Sequence, residues 1–245
     1  MARRPQHPLA LLVTAFAAVA LAASVPESAS AEGRGPSDES RASSSLDVAS
    51  SAIPTSANPL VTDAARSETG LRPTGGKAVA TAVATSECNG CSGTATTLQT
   101  VTLDGPAAAV GDNVATAWSS CVGCSSTAVS VQIITGPRAA PIEANNRSLA
   151  ANIACADCQS TAVALQFVIL GGTRRELSAQ AKAIIQQIEQ ELGLTLAAQE
   201  ARNDGSHHDD AERAAEDAAA RARDAIKNDT RADSVAARVD VETGD

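Results

Sequence analysis

The sequence has no tyrosine, one tryptophan, two phenylalanines, one methionine and three histidines in 245 residues. So few rings exclude a stacking platform for bases, and no cluster of Lys and Arg offsets a net charge of −9, so nucleic acid is not an expected partner. Large core formers are scarce as well. Alanine makes up about half of the 44% of residues counted as hydrophobic, and an Ala buries little area, which implies one modest core flanked by polar segments. No Gly-rich phosphate loop, no His-Glu-x-x-His and no paired-carboxylate arrangement is present.

The N-terminus carries an export pattern. Arg3 and Arg4 precede an apolar run from Leu9 to Ala23, and Ala29-Ser30-Ala31 offers small residues for cleavage before Glu32. This reads as a signal peptide over 1–31; a membrane anchor needs about 20 apolar residues and a stop-transfer flank, so no membrane span is expected once the signal is removed. Residues 32–76, rich in Ser, Ala, Pro and Gly, show no sustained period and read as a disordered spacer.

From Lys77 the chain repeats three times, at periods of 33 and then 34 residues. The anchors are Cys88-Asn-Gly-Cys91, Cys121-Val-Gly-Cys124 and Cys155-Ala-Asp-Cys158. After each second Cys come Thr-Ala (Thr94-Ala95, Thr127-Ala128, Thr161-Ala162) and then Gln99, Gln132 or Gln166. Before each first Cys, Ala82 and Ala84, Ala115 and Ala117, or Leu149 and Ala151 fall at the even spacing of a strand. Each unit over 77–172 therefore reads as a strand, a two-residue turn and a second strand, a β-hairpin with the Cys pair at its tip. One face of the second strand is bulky (Leu98; Val129 and Val131; Val163, Leu165 and Phe167). The other is narrow (Ala95, Ala128, Ala162 and the three Gln), open to the close approach of another sheet, with the Gln side chains near enough to hydrogen-bond in a row. The fold class expected is a mainly β repeat core of three Cys-x-x-Cys hairpin units with a helical C-terminal extension.

Six Cys in an exported chain with a small core read as disulfides, for which 15 connectivities exist. Identical spacing in every unit favours a local bridge within each, using Cys88, Cys91, Cys121, Cys124, Cys155 and Cys158; bridges between units remain the alternative. Zinc ligation would leave the third pair without a mate, and a redox enzyme needs an activated thiolate at a helix start. Neither a metal nor a cofactor is expected, and no catalytic residue is assigned. His207-His208 lies far in sequence from the repeats, on a stretch without apolar periodicity.

Past Gly172 the period becomes helical. Thr173 and Glu176 form a capping-box pattern, and Leu177, Ala181, Ile184, Ile185, Ile188 and Leu192 share a stripe that is interrupted or ended near Gly193. This amphipathic helix over 173–202 packs on its own domain or, through Leu177, Ile184 and Ile188, on a partner. Residues 203–245 read as an acidic, Ala-rich solvated helix and a charged tail.

The unit with Cys-x-x-Cys, Thr-Ala and Gln, as in Cys158-Gln-Ser-Thr-Ala-Val-Ala-Leu-Gln-Phe-Val, resembles segments of uncharacterised secreted proteins of high-GC Gram-positive bacteria. It is also similar to the extracytoplasmic ends of peptide zinc metalloprotease-like proteins, whose His-Glu-x-x-His motif is absent here. The resemblance covers about Lys77 to Gly172 and implies an exported repeat module without transferring an activity. The expectation is a secreted, non-enzymatic structural or binding module of the envelope or extracellular space. Self-assembly through the low-charge strands after Cys124 and Cys158, or thiol-disulfide or metal handling by the Cys pairs, are the alternatives.

Overall fold

The computed structural model describes residues 46–71, 75–202 and 207–244; the expected signal peptide lies outside them. Eight strands run in alternation between two sheets: β1 (Leu46–Ala52), β2 (Leu60–Leu71), β3 (Gly76–Ser86), β4 (Ser92–Leu103), β5 (Ala109–Ser119), β6 (Ser125–Gly136), β7 (Ile142–Asn152) and β8 (Gln159–Leu170). Helices α1 (Ala179–Glu200) and α2 (His207–Thr230) and a last strand, β9 (Val235–Thr243), follow. Odd strands form a four-stranded sheet in the order β1-β3-β5-β7, and even strands a five-stranded one in the order β2-β4-β6-β8-β9. All pairings are parallel except that of β9 with β8. The core is thus a β-solenoid.

Two expectations about the strands are corrected by the pairing. The mainly β repeat core is present, but its units are not hairpins: β3 and β4 pair with β5 and β6, not with each other. The narrow faces decide this. Ala82 and Ala84 pack against Ala95 across the sheets, joining Ala115, Ala117, Ala128, Ala162 and Ala164 in one fully buried layer. A hairpin would lay the narrow faces of both strands on the same side with nothing to bury them, whereas an arc turns them face to face, and each backbone pairs with its equivalent one turn away.

The spacer is the second correction, because its later part is one more solenoid turn, the first of four in chain order. Leu60–Leu71 pairs residue for residue with β4, which sets Pro59 one place before the strand where Cys91 stands in the next turn, Asp63 opposite Ala95 and Ser67 opposite Gln99. The turn keeps the strand register, but of the signature residues only Ala52, opposite Ala84, and Thr62, opposite Thr94, are retained.

The bulky outer face of the five-stranded sheet lies under the helices. Leu98, Val131, Val163, Leu165 and Phe167 form one core with Leu177, Ala181, Ile185, Ile188, Leu192 and Leu196 of the α1 region. Helix α1 is not broken at Gly193: a side chain there would begin 3.1 Å from Thr96 Cγ2, so the glycine lets the helix pass close over β4. Its N-cap is Ser178, whose hydroxyl accepts from Ala181 N at 3.2 Å, rather than Thr173. Leu177 and Ile188 are buried within this core, leaving Ile184 the exposed member of the trio expected to reach a partner.

Helix α2 is not solvated. Ala211, Ala215, Ala218, Ala219, Ala222 and Ile226 are buried against α1 and the sheet edge. A stripe of Ala hides from a search for large apolar residues, yet it suits close packing because small side chains bring the backbones together. The tail forms β9 and closes the C-terminal end of the solenoid. Along β9, the Arg238 guanidinium donates to Ala144 O and Asp240 accepts from Ser148 N and Oγ, which covers the otherwise open edge of β7.

Candidate functional site

Three features stand out. Along one edge of the solenoid the arcs carry the six cysteines, each pair closed within its own unit: Cys88–Cys91, Cys121–Cys124 and Cys155–Cys158, with Cα separations of 5.4, 6.0 and 5.8 Å. The turns between them place Gly90 and Gly123 at φ of +69° and +61°, and Asp157 at +56° in the third unit. That left-handed geometry is easy for glycine and tolerated by Asp, so a Cys-x-x-Cys segment can close on itself in all three units. The arcs also bond to one another, with Gly90 N donating to Val122 O at 2.9 Å and Gly123 N to Ala156 O at 2.8 Å. The group formed by Cys121, Cys124 and Cys158 has its sulfurs committed to disulfides and offers no thiolate to a metal.

Between the two sheets, the Gln row expected from the repeat is formed. Gln166 Nε2 donates to Gln132 Oε1 at 2.7 Å, Gln132 Nε2 donates to Gln99 Oε1 at 2.6 Å, and Gln99 Nε2 donates to Leu46 O at 2.6 Å. All three are fully buried. The amide hydrogens also reach carbonyls of the opposing strands, including Ala78 O, Asp112 O and Gly111 O. Gly111 has no side chain because a Cβ there would fall 2.8 Å from Gln132 Oε1. Beside this row Asn113, not singled out by the repeat, donates to Asn146 Oδ1 at 2.7 Å and accepts from Ser130 Oγ at 2.7 Å. A second buried polar group lies under α1: Glu200 Oε2 accepts from Thr127 Oγ1 at 2.7 Å, and burial pushes its carboxyl up to about 8. Thr62, Thr94, Thr127, Thr161 and Thr243 form one row across the sheet at this level. His208 joins its edge through Thr243 Oγ1 at 3.2 Å.

The third feature is the outer face of β1-β3-β5-β7. The helices cover the outer face of the other sheet alone. Pairing aligns Ser51, Val83, Thr116 and Leu149 in one row, Ala49, Thr81, Val114 and Arg147 in a second, and Thr85, Trp118 and Ala151 in a third. Leu149 is 60% exposed and Ile53, beyond the end of β1, also 60%. The single tryptophan of the chain is thus half-buried on this sheet among Val, Thr and Leu, and not in the core. Comparison with protein-family models, curated proteins and solved structures finds no match. No helix among the described residues is long and apolar enough to cross a membrane.

Proposed function

We propose that this chain is an exported, non-enzymatic binding and structural module whose working surface is the outer face of β1-β3-β5-β7. The observation that carries the reading is the asymmetry of the solenoid. One sheet is buried under two helices, whereas the other presents a regular, rigid face of Val and Thr rows with Trp118 and Leu149. Local disulfides at three of the four arcs suit an oxidising compartment and hold such a face without a large core. A sheet whose outward residues mix β-branched, aromatic and polar groups is a contact surface rather than a solubilising one.

The test is co-sedimentation of the chain lacking residues 1–31 with isolated cell envelopes. The wild type is expected to be retained, and the variant Val83→Lys, Thr116→Lys, Leu149→Glu to remain in the supernatant with an unchanged far-UV spectrum and urea midpoint. Equal retention of both overturns the assignment of the face.

A further inference from the structure

The disulfides of the third and fourth solenoid turns touch. Cys158 Sγ lies 3.4 Å from Cys124 Sγ, and the sulfurs of Cys121, Cys124 and Cys158 all fall within 4.8 Å of one another, with Cys91 outside this group. Cys121 and Cys124 are 7% and 2% exposed, whereas Cys155 and Cys158 are half-buried and flanked by exposed Ala154, Ala156 and Asp157. The Cys155–Cys158 bridge is partly open to solvent, and the Cys121–Cys124 bridge beside it is buried.

From this geometry we infer that the arc edge of the solenoid is a thiol-disulfide exchange site, at which a dithiol opens Cys155–Cys158 and Cys158 passes the opening to Cys121–Cys124. The inference is independent of the binding face. In the first step a thiolate of the dithiol attacks Cys158 Sγ, and the Cys155–Cys158 bond breaks with its electron pair on Cys155. The Cys121 N–H lies 3.4 Å from Cys155 Sγ and favours that thiolate as leaving group. The second thiol of the reductant then displaces Cys158, so that the dithiol is oxidised to its disulfide while the protein gains two electrons and two protons. In the second step deprotonated Cys158 attacks Cys124 Sγ. The Cys124–Cys158 bond forms, the Cys121–Cys124 bond breaks, and Cys121 leaves with the electron pair and takes up a proton from solvent. This step is redox-neutral.

The product differs in covalent structure from both the starting protein and a simply reduced third pair. It ties two solenoid turns together across a sequence separation of 34 residues and leaves Cys121 and Cys155 as thiols. Cys121 Sγ lies 3.1 Å from Ser86 O, which can accept a hydrogen bond from the liberated thiol.

The test uses the full chain with Cys155→Ser, which leaves Cys158 without its partner. After folding in air, acid quench and maleimide labelling, peptide mapping is expected to find a Cys124–Cys158 bridge and a labelled Cys121. The variant Cys88→Ser, which frees Cys91 outside the cluster, is expected to give crossed bridges at a yield lower by about tenfold or more. Wild-type protein treated with one equivalent of dithiothreitol supplies a measurement that needs no substitution, and the same crossed bridge is expected in it. Label confined to Cys158 in Cys155→Ser, or to Cys155 and Cys158 in the partly reduced wild type, overturns the proposal. So do equal yields from the two variants.

Discussion

Replacing Gln132 by Ala should be among the most damaging single changes in the solenoid. Gln132 is the middle of the three-residue row. Its amide donates to Gln99 Oε1, Ala78 O and Asp112 O, and its carbonyl accepts from Gln166 Nε2. Truncation leaves the buried Gln99 carbonyl without that donor, and each orphaned buried acceptor costs about 1–3 kcal/mol. The lost side-chain atoms leave a void between two sheets whose backbones are fixed by parallel pairing on both sides, so collapse is limited and a cavity contribution of about 1–2 kcal/mol is added. The sum is about 2–5 kcal/mol, read as a lower urea midpoint at unchanged m-value and a melting temperature lower by about 4–20 °C. Gln99→Ala serves as the comparison at the end of the row, where Leu46 O and Val79 O are the carbonyls left. A loss below about 1 kcal/mol for Gln132→Ala would refute the reasoning, because it would mean that the row is decoration on a core held by the Ala layer.

Four further outcomes follow from the same structure. Replacing Cys88 and Cys91 together by Ser should cost about 2 kcal/mol in urea unfolding, since a four-residue loop removes little entropy from the unfolded chain. Glu200 has its folded-state carboxyl raised to about 8, so between its unfolded value near 4.5 and about 8 the unfolded state binds fewer protons. Stability should therefore fall as pH rises through that window, by about 1.4 kcal/mol per unit from this group, and Glu200→Gln should remove that slope, matching the wild type near pH 5 and exceeding it at pH 8. Ala222→Leu in α2 should destabilise by about 1–3 kcal/mol by overpacking against α1, where a solvated helix would gain slightly. Deleting residues 235–245 should uncover the β8 edge and yield concentration-dependent association by sedimentation velocity.

The repeat made most of the core legible. Thr-Ala and Gln at fixed distances after the Cys pairs located β4, β6 and β8, assigned their two faces correctly and anticipated the Gln row, because in parallel in-register stacking each residue meets its own counterpart. The same information was silent on which strand each strand pairs with. Alternation and an Asn-Gly turn fit an arc as well as a hairpin, and only the need to bury Ala82, Ala84 and their equivalents against Ala95 separates the two. The first turn escaped notice because Pro59, Asp63 and Ser67 stand where Cys, Ala and Gln stand later. Helix α2 escaped because its buried stripe is alanine. Of the candidate surface, Trp118 and Leu149 sit in the strands before the Cys pairs, where the repeat is loosest, and their neighbourhood is created by register across strands rather than by any local motif. The contact between Cys124 and Cys158 is likewise a product of stacking.

The most direct measurement for the solenoid is a set of interstrand backbone nuclear Overhauser effects on isotopically labelled protein. The account predicts contacts between residues about 33 apart, such as Ala82 with Ala115 and Gln132 with Gln166, and side-chain contacts alone between β3 and β4. Antiparallel backbone contacts across the Cys88–Cys91 arc, joining β3 to β4 as ladder partners, would contradict it.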